Sequence, residues 1–465
     1  MDTLRISYVV SIGLGLALGL AGSSEGEAVE EWSSHGPKAM AISHSKTGIH
    51  QEPKQKWNYV NVRPHAYMFW WLYYTTAPET FTGKPLVMWL QGGPGGSSTG
   101  FGNFEEIGPL DVNQNPRNTT WLQEASLLFV DNPVGTGFSY VTSKDAYTTD
   151  VTMIASDLLI AFSEFLKEVP EFKNIPFYIF SESYGGKMTA AFSQALYQAI
   201  QKETIKCNFK GFAMGDSWIS PIDSVLTWGP YLHGTSLVDK EGLAAIMTSA
   251  QACEAALKAG QFVKATELWS ETETAVESNT NGVNFYNILK WTSPEEKLFL
   301  RKLSSSEKML YRHIATLHKE TLAQLMNGPV REKLRIIPNN VTWGGQSGDV
   351  FTAQRSDFMK PVINIVDNMI NSSNIKVVVY SGQLDLICDS PGTEIWVQKL
   401  TWPGLPKYNA AKRHALTRKD TGETVAFYKQ YQDFSFYWIL KAGHMVPADA
   451  GETALTMLKM VTQSK

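Results

Sequence analysis

The sequence predicts an α/β fold: a central, mostly parallel sheet covered by helices on both faces, interrupted by a helical insertion. Three observations carry that expectation. Short β-branched or aromatic runs alternate with helical patterns. One run leads through a tight Ser- and Gly-rich turn into a helix. Between Trp218 and Asn327 the strand-like texture gives way to Ala-, Leu- and Glu-rich segments.

The runs that read as buried strands are Met68–Tyr74, Leu86–Leu90, Ser126–Val130, Phe177–Phe180, Lys376–Tyr380 and Phe434–Leu440. Between Val151 and Lys167, residues Ile154, Leu158, Phe162 and Phe165 recur at helical spacing and form one apolar stripe. A second helix is expected from Gly185 to Gln201. Segments such as Glu241–Lys258 and Phe262–Glu277 read as helices of the insertion, since the strand pattern resumes only near Lys376.

The expected layout is a signal peptide over residues 1–28, a first part of the core over 29–217, the helical insertion over 218–327 and a second part of the core over 328–465. The signal reading rests on one early basic residue, Arg5, an apolar run from Ile6 to Gly22, and small residues before the acidic stretch at Glu25. A membrane anchor is the competing reading; the glycines and the small-residue exit favour cleavage. No later segment is apolar for long enough to span, so no stable membrane insertion is expected after cleavage. The expected location is the secretory pathway, secreted or lysosomal. The sequons at Asn118, Asn340 and Asn371 are compatible with that route without establishing it. The three cysteines, Cys207, Cys253 and Cys388, allow at most one internal bridge. With a formal charge of -4, nothing suggests a nucleic-acid partner.

The sharpest local signal is Phe177-Tyr-Ile-Phe-Ser-Glu-Ser-Tyr-Gly-Gly-Lys187, with Ser183 at the apex of a strand–turn–helix. A nucleophile elbow needs small flanking residues, because its helix passes close to its strand. Here Ser181 replaces the first Gly of the usual G-x-S-x-G pattern. Ser-x-Ser-x-Gly is common, and a serine capping a helix explains it equally well. The order of the remaining motifs selects the catalytic reading. Gln91-Gly-Gly-Pro-Gly-Gly-Ser-Ser98 follows a strand and exposes backbone N–H groups suited to an oxyanion. A phosphate loop is rejected, since no Gly-Lys-Ser/Thr follows and Pro94 removes a donor. Two aspartates then follow candidate strands, Asp216 and Asp385; Asp385 leaves the more convincing strand through a turn at Gly382. Of nine histidines, His444 follows the last strand and completes the order Ser, acid, His.

Together these motifs resemble the serine carboxypeptidase family and its α/β-hydrolase fold. The matching blocks are Trp89–Ser98, Glu106–Pro109, Val130–Tyr140, Glu182–Tyr184, Gly382–Asp385 and Gly443–Pro447, in the family's order across most of the chain. The resemblance implies removal of single residues from peptide C-termini by a triad of Ser183, Asp385 and His444. It implies an oxyanion hole from the N–H groups of Gly93 and Tyr184, where losing one donor typically costs about 3 kcal/mol of barrier. It also implies recognition of the substrate's free C-terminal carboxylate by Gln91, Gly92, Glu106 and Glu182. Carboxyls can face a carboxylate if a glutamic acid stays protonated by burial and a like-charged neighbour, which implies better activity in acid.

Three positions depart from the family pattern: Gln91 stands for Asn, Gly96 for Cys and Ser181 for Gly. Tyr140 is a candidate for the pocket mouth, with a buried structural tyrosine as the commoner explanation of such a residue. No cofactor is implied and no metal motif is present in the sequence. The alternatives are an esterase or acyltransferase with the same triad, or a catalytically weak binding protein on this fold.

Overall fold

The computed structural model describes residues 52–463, residue 79 excepted, so the expected signal peptide lies outside the described residues. One sheet holds β1 (Gln55–Arg63), β2 (Ala66–Tyr73), β3 (Leu86–Leu90), β4 (Ser126–Val130), β5 (Tyr140–Val141), β6 (Pro176–Ser183), β7 (Asn208–Ser217), β8 (Lys376–Gly382), β9 (His414–Thr417), β10 (Thr424–Tyr431) and β11 (Phe434–Ile439). Its order is β1-β2-β4-β3-β6-β7-β8-β11-β10-β9, with β5 beside β2.

The central run from β4 to β11 pairs in parallel throughout. The flanking pairs are antiparallel, so the sheet is mixed and less parallel than the sequence predicts. The physical reason lies in the connections. Short turns join β1 to β2 and β10 to β11, and such turns only permit antiparallel neighbours.

Both faces of the central strands are buried. In β4, Leu127 and Phe129 join one apolar cluster while Leu128 and Val130 join the other. In β8, Val378 and Tyr380 face the first cluster, Val377 and Val379 the second. Unbroken apolar runs such as Leu86–Leu90 follow from this two-sided burial.

Helix α1 (Val151–Glu168) starts at Asp150, whose carboxylate accepts from Thr152 N at 2.8 Å and Met153 N at 2.9 Å. It buries the predicted stripe of Ile154, Leu158, Phe162 and Phe165. Helix α2 (Gly185–Gln201) leaves β6 almost directly and packs beside α1. Between β7 and β8 the chain holds no strand of the sheet among the described residues. The helices there include α3 (Pro221–Gly234), α4 (Lys240–Lys258), α5 (Phe262–Thr280) and α6 (Ser305–His313). The strand-free stretch runs past the expected boundary at Asn327, through Arg331–Leu334, Ser347–Ala353 and Ile363–Ser372.

Asp131, buried at the end of β4, ties two loops to the sheet. Its carboxylate accepts from Ser97 Oγ at 2.7 Å, Thr99 N at 3.0 Å, Thr99 Oγ1 at 2.7 Å and Phe138 N at 2.9 Å. Removing one acceptor strands several buried donors at once. Asp131→Ala is expected to lower the unfolding free energy by about 4 kcal/mol, read from the denaturant midpoint. A loss under about 1 kcal/mol would show that water replaces the carboxylate.

Candidate active site

The elbow is built from the end of β6. Ser183 has φ 63°, a left-handed conformation that L-residues avoid and that surrounding packing must enforce. A Cβ on Gly92 would lie 2.4 Å from Ser183 Cβ, and one on Gly185 would lie 2.3 Å from the Leu90 carbonyl. The loop after β3 and the start of α2 therefore press on the turn from two sides. Ser181, the departure from the usual elbow glycine, is buried, and its Oγ donates to the Ala213 carbonyl at 3.3 Å. The extra hydroxyl is accommodated by the neighbouring strand.

β6, β7, β8 and β11 are adjacent, and their C-terminal ends carry Ser183, Asp216, Asp385 and His444 in that order. The loops after β8 and β11 are bonded together by Gln383 N to the Ile439 carbonyl and Leu384 N to the Ala442 carbonyl, each at 2.8 Å. This brings His444 Nδ1 within 2.9 Å of Asp385 Oδ2. The Asp385 carboxyl also accepts from Ile387 N at 3.1 Å and Cys388 N at 3.2 Å. Burial pushes the His444 pKa down to about 4, leaving a neutral imidazole whose Nε2 remains free to serve Ser183 in the same cleft.

Asp216 does not bond to His444. Its Oδ1 accepts from Gly382 N at 2.8 Å, and its side chain meets that of Asp385. Burial and then the Asp385 charge hold Asp216 well above the usual carboxylate range, and burial raises Asp385 likewise, so the two carboxyls retain a proton between them. Of the two aspartates singled out by sequence, Asp385 is the one that meets the imidazole. The donor atoms of Asp385, Cys388 and His444 all lie within 4.8 Å, but the hydrogen bond between two of them occupies atoms a metal would need.

Gln91, Gly92, Gly93, Glu182, Ser183, Tyr184 and His444 line one cleft. Tyr184 is fixed through its hydroxyl, which donates to Asp357 Oδ2 at 2.8 Å, and its ring stacks on Phe358. Lys187 Nζ, fully buried, pairs with the same Asp357 at 3.0 Å; burial pushes its pKa down to about 8.

The buried Gln91 is oriented by its partners. Trp89 Nε1 only donates, so it takes Gln91 Oε1 at 2.7 Å and leaves the amide nitrogen to donate to Glu182 Oε1 at 2.9 Å. Glu106 stands behind this cleft, not among its lining residues, with its carboxyl against that of Glu182. Both Glu106 oxygens and Glu182 Oε2 lack a donor from any other group. Burial lifts the Glu106 pKa to about 7. Burial and the neighbouring Glu106 charge lift Glu182 well above its ordinary value, so Glu182 holds the shared proton.

Two further positions singled out in the sequence are placed by the structure. Tyr140 does not line the cleft; it lies in β5 and stacks on Tyr67 at 4.7 Å, because β5 turns that side chain onto the flank of the sheet. The loop that lacks the family's cysteine at Gly96 is anchored instead by Asp131 through Ser97 and Thr99, and all three cysteines are free thiols. Sequence reading missed Trp218, Tyr286, His313, Leu317, Phe358 and Ile387, which complete the cleft wall. Most of them come from the strand-free segment, where no motif marks single residues.

The family profile described as "Serine carboxypeptidase" matches residues 47–464. The chain is 56% identical over 421 residues to the retinoid-inducible serine carboxypeptidase of Mus musculus, covering 89% of this chain and 92% of that protein. It is 40% identical over 432 residues to serine carboxypeptidase-like 51 of Arabidopsis thaliana, covering 90% and 94%. Among solved structures, a prohormone-processing carboxypeptidase from Saccharomyces cerevisiae shares the fold with a TM-score of 0.75 at 21% identity, covering 88% of this chain and 91% of the other. The chain thus belongs to the serine carboxypeptidase family, on an α/β-hydrolase fold, and is a serine-type carboxypeptidase of peptides.

Proposed function

We propose that the enzyme releases C-terminal residues from peptides in acid, through an acyl-enzyme on Ser183, and reads the substrate's free carboxylate with the Gln91, Glu182 and Glu106 cluster. The observation that carries this reading is the buried, proton-sharing carboxyl pair set beside the elbow serine. Ser183 Oγ attacks the scissile carbonyl while His444 Nε2 takes its proton. Asp385 fixes the tautomer at Nδ1 and stabilises the imidazolium. The N–H groups of Gly93 and Tyr184 receive the oxyanion, and His444 returns the proton to the leaving amine. Water then repeats the sequence on the acyl-enzyme.

The terminal carboxylate would be met by the Gly92 N–H, the Gln91 amide and a protonated Glu182. Gln91 already donates to Glu182, so the longer side chain at this position supports the pair and need not contact substrate alone. Trp218, Tyr286, His313, Leu317 and Phe358 reach the cleft from the strand-free segment, which supports reading that segment as an insertion placed over the site. Secretory routing, to the exterior or to lysosomes, is proposed from the N-terminal apolar run and the exposed sequon asparagines. No helix among the described residues is long and apolar enough to cross a membrane. No nucleic-acid partner is proposed, in keeping with the charge of -4.

Ser183→Ala is expected to abolish labelling by a fluorophosphonate probe. Asp385→Asn is expected to lower kcat by about 10⁴-fold, because the amide stabilises the wrong tautomer and no imidazolium. Labelling that survives in Ser183→Ala would place the nucleophile elsewhere.

The pH profile follows from two groups. His444 works as a base only when neutral, so activity rises as pH passes about 4. Glu106 is neutral below about 7 and ionises above it, which adds a buried charge beside Glu182 that repels the substrate's own carboxylate. With a blocked dipeptide acid, kcat/KM is expected to climb near pH 4 and fall through pH 7. The matching C-terminal amide should be cleaved poorly at pH 5 and should lack the upper limb. Equal cleavage of acid and amide would show that the cluster does not read the carboxylate, and would favour an esterase-like enzyme.

A further inference from the structure

The cleft contains a second histidine that the mechanism above does not use. His313, the last residue of α6, is buried and lines the same cleft as Ser183 and His444. Both of its ring nitrogens are engaged. Nε2 lies 2.7 Å from Glu273 Oε1 of α5, and Nδ1 lies 2.9 Å from the Tyr286 hydroxyl. A carboxylate only accepts, so Nε2 donates to Glu273; Nδ1 shares the second hydrogen bond with the Tyr286 hydroxyl, which also lies 3.4 Å from the Arg312 carbonyl. Glu273 is fully buried and is also held by Arg312 Nη1 at 3.3 Å. The His313 ring is packed between Trp269, 4.7 Å away, and Phe351, 6.2 Å away.

Tyr286 carries this order to the catalytic base. Its ring meets the His444 ring edge-on with centroids 5.1 Å apart, and its carbonyl accepts from His444 N at 2.8 Å. The imidazole of His444 is bonded to Asp385 at one nitrogen only. That single bond holds one end of the buried ring, whereas general-base catalysis needs Nε2 held within roughly 10–20° of its productive direction. A tyrosine ring fixed at its far end supplies the missing wall.

We propose that Glu273, His313 and Tyr286 form a brace that positions His444, so that the strand-free segment sets the competence of the triad as well as the shape of the cleft. All three are positioning residues: they act on the imidazole and take no part in bond making. A brace of this kind controls the rate of attack by Ser183 on any acylating reagent, whether or not that reagent carries a terminal carboxylate.

The test compares Tyr286→Phe, His313→Leu and their double variant in the full chain. It measures kcat and KM on a blocked dipeptide and the second-order rate with a fluorophosphonate. Tyr286→Phe keeps the ring and loses only the hydroxyl; it is expected to lower kcat and the fluorophosphonate rate about fivefold, the worth of one buried hydrogen bond, with KM within about twofold. The double variant should be no slower than the slower single variant, since both break the same chain. If His313→Leu does not fold, Glu273→Gln and Glu273→Leu replace it: the amide oxygen of Gln still accepts from Nε2 and should retain most of the rate that Leu loses. An unchanged fluorophosphonate rate in Tyr286→Phe, a loss confined to KM, or losses that multiply in the double variant would each overturn the brace. Because the fluorophosphonate bears no peptide carboxylate, failure of the proposed carboxylate recognition would leave this result untouched.

Discussion

Two carboxyl groups buried in contact resist being ionised together, and for Glu106 burial outweighs the opposing pull of the Arg117 charge. Their environment therefore retains a proton that water would remove, and the rest of the proposed site is arranged around it. Trp89 orients Gln91, Gln91 donates to Glu182, and Glu182 lies next in sequence to Ser183. The same local packing that hides the carboxyls also forces Ser183 into its left-handed turn. In the proposed reading, recognition of the terminal carboxylate and presentation of the nucleophile are thus two consequences of one buried crossing between the loop after β3 and the end of β6.

A second proton-sharing pair repeats the physics at the acid of the triad. Asp216 and Asp385 meet at the ends of neighbouring strands, burial raises both carboxyls, and Asp385 is the one that bonds His444. The sheet supplies these juxtapositions because four adjacent parallel strands end on one level. The helices between β7 and β8 add the wall of Trp218, Tyr286, His313, Leu317 and Phe358. Lys187 fastens this wall to α2 through Asp357, which also holds the Tyr184 hydroxyl.

The legible parts of the sequence are those where one physical requirement dominates. Leu86–Leu90 and Ser126–Val130 match their strands residue for residue, since burial on both faces demands unbroken apolar runs. Helix α2 matches Gly185–Gln201 because the elbow dictates where it begins. β1, β9 and β10 escaped notice: as flanking strands they are half exposed, and polar residues such as Asn58, Asn61 and His414 interrupt their patterns. The proposed triad comes from motif order, and Asp216 and Asp385 could be ranked only by the strand each follows; the structure joins Asp385 to His444. The brace residues were invisible, because Glu273, His313 and Tyr286 are far apart in sequence and meet only through the packing of α5 and α6. Asp131 was likewise unremarked within the block Val130–Tyr140, although it holds the loop around Ser97 and Thr99.

The most direct measurement of the shared proton is proton uptake on binding. Titrating the Ser183→Ala protein calorimetrically with a blocked amino acid bearing a free carboxylate, in buffers of different ionisation enthalpy, gives the number of protons taken up. If the glutamate pair must be fully protonated to accept that carboxylate, uptake should be near zero at pH 5 and approach one at pH 8 as Glu106 regains its proton, and Glu106→Gln should abolish the difference. Binding at pH 8 of equal strength with no proton taken up would contradict the claim that a buried glutamic acid reads the chain end.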